Sequence, residues 1–312
     1  MSNNNQIFAI NRDEVMAIVE ARHDNPHHIL GMHQCLKDLY VNVFAPDVAQ
    51  VFVVDIANGD EYETEEIVSG FYTVKISGRK PFDYEIKTVC TTFDEAGDLV
   101  ERARVFKDPY AFPYSVDPAK VVDIISGRTS FADGFKVKDI FGVRYITLNG
   151  VSGTSFCMEV KGARRVSVVG DFNNWDASVH QLRKIDYTDI FELFIPEVIK
   201  DSKYKFSVLF YDGREELWAD PYAICYEKAP GNASMLTEFS YEYHDDEFIK
   251  ARKKNKESLN IYEIHMSTFM RNEDGSVPGY AEFAGLACDH VADMGYNYVE
   301  LMPVMEYREG DT

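Results

Sequence analysis

Arg165-Val-Ser-Val-Val-Gly-Asp-Phe-Asn-Asn-Trp-Asp176 is the stretch that decides the fold. It opens as a strand in alternating residues and breaks at Gly170-Asp171, after which the turn holds out Asn173, Asn174 and Trp175. An indole beside short amides suits a neutral sugar. The flat ring covers the C–H face of a pyranose, and the amides meet its hydroxyls. The same indole also works as an anchor between two sheets, so packing and sugar contact both stand as readings of Trp175.

Working outward, strands of the same kind surround this loop. Val151 to Phe156 opens the set, and Ile190-Phe-Glu-Leu-Phe-Ile-Pro196 and Tyr204-Lys-Phe-Ser-Val-Leu-Phe-Tyr211 follow. An earlier set precedes it: Leu39 to Pro46, Gln50 to Asp55, Phe71 to Ile76 and Phe82 to Lys87. Short strands at regular spacing, divided by Pro46-Asp47, Asn58-Gly59 and Ser77-Gly78, predict β-sandwiches. Each set closes on the same tripeptide, Asp108-Pro-Tyr110 and Asp220-Pro-Tyr222, 112 positions apart. Ala49-Gln-Val-Phe-Val-Val54 and Arg164-Arg-Val-Ser-Val-Val169 are 115 apart, so the offset is nearly constant. Two immunoglobulin-like sandwiches in tandem account for this repeat. The copies differ where the first has Asp55-Ile-Ala-Asn-Gly in place of the tryptophan loop, which makes the first a degenerate copy. Trp218, just before Ala-Asp-Pro-Tyr, reads either as core or as a second sugar contact.

Beyond the sandwiches the period changes. Asn260-Ile-Tyr-Glu-Ile-His-Met266 alternates as a strand. Phe283, Leu286, Ala287, His290, Val291 and Met294 then fall on one helix face, and Gly295 sits where a left-handed cap is wanted. Tyr298-Val-Glu-Leu-Met-Pro-Val304 follows as an apolar strand that suits burial. Strand, helix and strand make one βαβ unit, which cannot bury its own sheet. The chain is thus mostly β: two sandwiches, then one βαβ unit. The expected segments are a helix and His-rich stretch over 1–38, sandwiches over 39–118 and 140–237, a linker over 238–259, and the βαβ unit over 260–312. In the first segment Asn11 is placed to cap a helix whose face carries Val15, Ile18 and Val19. The linker runs from an acidic, aromatic stretch to a basic one whose Lys253, Lys254 and Lys256 read as a solvated face.

Composition narrows the function classes. The net charge of −20 repels phosphate backbones and anionic lipid, so neither nucleic acid nor a membrane surface is an expected partner. Five dispersed cysteines (35, 90, 157, 225 and 288) form no metal or disulfide pattern. A reduced, cytoplasmic setting is expected, with no signal peptide and no apolar run near ~18 residues. No cofactor and no metal are expected. His23, His27, His28 and His33 match no closed zinc site, and docking by hydrogen bonds is the expected use of them. Glu263, His265 and Glu300 lie on the two late strands, with structural packing and a substrate role both open.

Taken together, these motifs resemble the glycogen (1,4-α-glucan) branching enzymes of the α-amylase superfamily, over residues 20 to 312. His23-Asp-Asn-Pro-His-His-Ile-Leu-Gly-Met-His33 is similar to the opening of their extra N-terminal domain. Val166 to Asp176, with Ala219-Asp-Pro-Tyr222, resembles their carbohydrate-binding module of family 48. Ile261-Tyr-Glu-Ile-His265 and Tyr298-Val-Glu-Leu-Met-Pro-Val-Met-Glu306 resemble strands one and two of their (β/α)8 barrel, which implies that residues 260–312 start an incomplete (β/α)8 barrel, although Met266-Ser-Thr-Phe-Met270 departs from the usual small-residue and Trp ending. The resemblance implies retaining glucanotransfer that makes α-1,6 branches, with a nucleophile on strand four and a Glu acid/base. Both would lie past Thr312, so no catalytic residue is expected in this chain, and the chain alone is expected to be inactive. It further implies α-glucan as partner, Asn173, Asn174, Trp175 and Trp218 as glucan contacts, and Glu306 and Tyr307 on a substrate-proximal barrel loop. Two rivals remain: a non-catalytic α-glucan-binding protein, and the front of another enzyme bearing a family 48 module, such as a debranching enzyme or trehalohydrolase.

Overall fold

The structure of the chain is a computed structural model, which describes residues 11–93, 97–128, 140–228, 230–238, 241–252 and 258–305. The chain divides into two compact units, with the boundary between residues 239 and 240.

The first unit holds two β-sandwiches. In the first sandwich, β1 (Gly31–Cys35), β2 (Asp38–Phe44), β6 (Phe71–Ser77) and β5 (Glu65–Val68) form one sheet in the order β1-β2-β6-β5. The facing sheet runs β4-β3-β7-β8, from β3 (Gln50–Asp55), β4 (Glu61–Glu63), β7 (Tyr84–Phe93) and β8 (Leu99–Phe106). Every pairing is antiparallel. Alternation along the strands turns Leu39, Val41 and Ile76 of one sheet toward Val51, Val53 and Ile86 of the other, closing one core.

The second sandwich repeats this plan. One sheet runs β12-β13-β10-β9, from β9 (Gly142–Leu148), β10 (Val151–Glu159), β12 (Arg183–Lys184) and β13 (Ile190–Ile195). The other runs β11-β14-β15, from β11 (Ala163–Gly170), β14 (Lys203–Phe210) and β15 (Glu215–Trp218), and the short β16 (Ser234–Met235) also pairs β14. Phe156, Val166, Val168, Leu193 and Phe206 fill the space between the sheets. Read in order, β1, β2, β6 and β5 correspond to β9, β10, β13 and β12, and β3, β7 and β8 to β11, β14 and β15. The tandem repeat expected from the tripeptide spacing is therefore a repeat of topology.

The last part of the His-rich stretch is a strand: Gly31–Cys35 pairs with Asp38–Asn42 at the edge of the first sandwich. The stretch before it behaves as expected. Helix α1 (Arg12–Val19) is capped by the Asn11 side chain, which accepts from Asp13 N, and it buries Val15 and Ile18. Val15 and Ile18 pack with Phe71 of the first sandwich, and polar bonds tie the same segment to the second. Fully buried Arg165 donates from Nε to the Ala21 carbonyl (2.7 Å), from Nη1 to Ser207, and from Nη2 to Glu215 (2.6 Å). Gln181 Nε2 donates to the Ile18 carbonyl, and Lys184 N to the Asp24 carbonyl. Helix α2 (Pro118–Ile125), capped by Asp117, follows the first sandwich and buries Val121.

The second unit opens with α3 (Asp246–Arg252), which begins on acidic and ends on basic residues, as the helix dipole favours. Lys253, Lys254 and Lys256 lie outside the described residues. β17 (Ile261–Ile264) then pairs in parallel with β18 (Tyr298–Leu301) across the short α4 (Met266–Phe269) and α5 (Tyr280–Asp293). Phe283, Ala287 and Val291 of α5 pack on Ile264, whereas Met294 from the expected face is 60% exposed. Gly295, at φ +76°, ends α5 with Tyr296 N bonded to the Val291 carbonyl and its own N to Ala292. The burial expected of Tyr298-Val-Glu-Leu301 is not met: all four residues are exposed. β18 pairs only with β17 among the described residues, and two parallel strands under one helix leave a face uncovered.

Candidate functional site

The site is built by the loop that leaves β11. Asn173 lies buried at its base and holds the turn closed. Its Oδ1 accepts from Gly170 N (2.8 Å), while Nδ2 donates to the Val168 carbonyl (2.9 Å) and meets His180 Nδ1 at 3.0 Å. The expected sugar contact through Asn173 thus gives way to a scaffolding role, because both ends of its amide are engaged within the loop. Burial lowers the His180 pKa to about 4, and the Arg104 charge adds to the effect. The imidazole is therefore neutral near pH 7 and accepts from Asn173.

Asn174 and Trp175 are both left-handed, at φ +54° and +61°. Consecutive positive φ at non-glycine residues is costly and persists where surrounding contacts fix it; such strain clusters at ligand-binding loops. Here the fixing bonds are those of Asn173, with Trp175 N donating to the Gly170 carbonyl. The Trp175 indole N–H donates to Asp171 Oδ1 (3.0 Å), and Asp171 Oδ2 accepts from Lys203 N (3.0 Å). With its polar edge tied inward and 38% of its surface exposed, the ring offers an apolar face.

Trp218 sits opposite Phe206 at the C-terminal end of β15. β11 and β15 are both antiparallel to β14, so their C-terminal ends, and with them the two tryptophans, come to one end of the sheet. Trp218 is partly buried against the core and Phe210, with its N–H donated to Glu216 (2.8 Å). Its packing role is on view, and the partial exposure leaves an edge for contact.

The loop also borders a cleft of about 630 Å3 between the two sandwiches. Asn174 and Asp176 line the cleft and Trp175 does not, so adjacent residues of one loop serve different sides. Spacing alone gave no sign of this division. Across the cleft, Arg104 of β8 meets Glu197 at 3.5 Å.

The remaining expected residues make no hydrogen bond with this loop among the described residues. His23, His28 and His33 make local hydrogen bonds with Asn25 and Leu30, and His27 packs edge-on to Tyr110 at 5.1 Å. Among the described residues no group of three or more His, Cys, Asp or Glu is placed to hold a metal. Glu263 and Glu300 are exposed and face each other in register on β17 and β18, and His265 Nδ1 meets the hydroxyls of Ser267 and Thr268. Glu306 and Tyr307 lie outside the described residues. No helix among the described residues is long and apolar enough to cross a membrane.

One shared device escaped the sequence reading. Tyr84 donates to buried Asp108 (2.6 Å), whose other oxygen accepts from Tyr110 N (2.9 Å). Tyr204 donates to buried Asp220 (2.7 Å), whose other oxygen accepts from Tyr222 N (2.8 Å). The repeated Asp-Pro-Tyr is thus the closing clamp of each sandwich. Burial raises the Asp108 pKa to about 6 against the opposing Tyr84 bond, and raises that of Asp220 as well.

Comparison with known proteins agrees with this layout. Residues 11–110 match the family described as the N-terminal domain of the α-1,4-glucan branching enzyme GlgB, and residues 140–223 match carbohydrate-binding module 48, the isoamylase N-terminal domain. The 1,4-alpha-glucan branching enzyme GlgB of Paraburkholderia xenovorans LB400 is 31% identical over 308 residues, covering 95% of this chain and 40% of that protein. The enzyme of the same name from Myxococcus xanthus DK1622 is 30% identical over 306 residues, with the same coverages. The chain thus spans about two fifths of the length of these relatives. Among solved structures, a putative alpha amylase from Salmonella typhimurium aligns with TM-score 0.38 and 19% identity, over 54% of this chain and 25% of that one.

Proposed function

From a chain that carries a branching-enzyme N-terminal domain followed by a carbohydrate-binding module 48, we infer the N-terminal part of a 1,4-α-glucan branching enzyme. The whole protein would transfer glucan segments to make α-1,6 branches in glycogen, with retention at the anomeric carbon. Its catalytic carboxylates are assigned to the portion of its relatives' length that this chain does not span, and the 312 residues alone are expected to be inactive. Residues 260–312 are read as the first βαβ unit of the barrel. The exposed apolar strand β18 supports that reading, since parallel strands are normally covered on both faces. Glu306 and Tyr307 keep their proposed place on a substrate-proximal loop of that barrel.

Within the chain, the second sandwich is the glucan-binding module. The observation that carries this is the Trp175 ring, held by Asp171 with its face outward, at the same sheet end as Trp218. An apolar ring face beside hydroxyl-bonding groups takes a neutral α-glucan chain, and a net charge of −20 does not oppose a ligand without charge. The same charge disfavours nucleic acid as a partner. The proposed location is cytoplasmic, in keeping with five cysteines that are all free.

Affinity electrophoresis in gels containing glycogen tests the binding role. Trp175→Ala is expected to weaken retention about tenfold, which corresponds to the ~1.4 kcal/mol of one aromatic contact. Undiminished retention in a folded variant overturns the assignment. A branching assay on the native, full-length polypeptide tests the catalytic half of the reading.

A further inference from the structure

We propose that the cleft between the two sandwiches is a second binding site for a neutral oligosaccharide, an α-glucan segment, separate from the Trp175 face. This rests on the reading of the chain as glucan-binding and adds to it a location that the tryptophans do not mark.

The volume, about 630 Å3, lies within the roughly 300–1,000 Å3 of small-ligand sites. The lining has the composition such sites use. Half-buried Phe44, Phe106 and Phe172 supply apolar surface, and Asn174, Asp176 and Arg104 bring polar groups from opposite walls. Charges of both signs border it, so neither an anion nor a cation is selected. A ligand rich in hydroxyls finds donors and acceptors here without needing a charge.

Two features argue for a ligand rather than a leftover gap. Asn174 is exposed and makes no side-chain hydrogen bond among the described residues, so its amide is open to a ligand, on a loop that is left-handed at two successive residues. The preceding Asn173 is fully engaged in fixing that loop, so the fold expends structure on where Asn174 points. Across the mouth, Arg104 and Glu197 are 68% and 62% exposed and only 3.5 Å apart, a weak pair that a hydroxyl ligand displaces at little cost.

Cys90 lines the cleft and provides a site-resolved reporter; Cys225, also partly accessible, lies outside the lining and serves as the internal control. The 312-residue chain is alkylated with N-ethylmaleimide, with and without maltoheptaose, and each thiol is followed by peptide mass spectrometry. Maltoheptaose should slow the modification of Cys90 relative to Cys225. Trp175→Ala should leave that protection intact while glycogen retention falls. Asn174→Gly, which relieves the backbone while deleting the amide, and Arg104→Ala should each raise the maltoheptaose needed for protection severalfold, to about tenfold. If Cys90 is unprotected while Trp175-dependent retention persists, the cleft is not a glucan site and the tryptophan assignment stands. If protection vanishes in Trp175→Ala, the cleft is not separate and the proposal fails. Absence of both retention and protection overturns the glucan reading of the chain and this site with it.

Discussion

The first and second sandwiches share a frame and differ in one loop. Each is closed by a tyrosine donating to a buried aspartate, and each places a positive-φ glycine against the tyrosine of its Asp-Pro-Tyr. Gly31 (φ +91°) abuts the Tyr110 carbonyl, and Gly142 (φ +80°) abuts the Tyr222 side chain. At the end of β3, however, Asp55 is buried and paired with Arg79 (2.7 Å), which itself lies over the Phe82 ring at 4.4 Å. At the end of β11, the corresponding loop ends in an outward indole. The first loop satisfies its own charge and offers nothing; the second leaves a ring face and an amide unmatched. The two copies agree in what closes the fold and diverge in the loop proposed to meet a ligand.

The largest effects should come from the shared frame. Adding a Cβ at Gly31 or Gly142 places it 2.9 or 2.8 Å from the neighbouring tyrosine, on a backbone that L residues disfavour. Gly31→Ala and Gly142→Ala should each cost about 2–4 kcal/mol in urea unfolding. A cost in one copy only would break the equivalence. The aspartates come next. Asp108 titrates near 6 when folded, so the folded state holds its proton more tightly than the unfolded chain does. Its contribution is therefore most favourable below about pH 4, falls as pH rises to about 6, and is flat above, a change of about 3 kcal/mol. Asp108→Asn should remove that slope from a plot of stability against pH, and Asp220→Asn should do so in the same direction. An unchanged profile would mean that the clamp is ionised without penalty.

Smaller effects should separate the loops. Trp175→Ala lowers glycogen retention but, at an exposed site, should alter stability by less than ~1 kcal/mol. Ile56→Ala, an exposed residue of the first copy's loop, should leave retention unchanged. A fall equal to that of Trp175→Ala would give the first sandwich a binding role. Ending the chain at Glu238 should change retention least, while reducing aggregation, because the apolar surface of β18 leaves with the second unit.

Within the two sandwiches, sequence reading found the strands that are buried and missed those that are not. β2, β3, β6 and β7 were legible because two neighbours and a core enforce alternation. β1, β4, β5 and β8 are edges, and residues such as Glu101, Arg102 and Arg104 of β8 face solvent with no period to read. The repeated Asp-Pro-Tyr was visible, but its partners lie at Tyr84 and Tyr204, 24 and 16 residues upstream, and only folding brings them together. The tryptophan loop was legible as a candidate by residue type. The different tasks of Asn173 and Asn174 were not, since their separation depends on a left-handed turn that the sequence does not announce.

Arg165 sets a condition on the order in which the chain acquires structure. Its guanidinium bridges a carbonyl at residue 21 and a carboxylate at residue 215, so the end of the first helical segment is tied down only after the second sandwich has emerged. Matched domain limits and folding limits are therefore not the same. A ribosome releasing the first 120 residues presents a helix whose apolar face can already settle on Phe71 but whose polar anchors do not yet exist. An excised second sandwich would, conversely, open Arg165 to water along the groove that the helix closes.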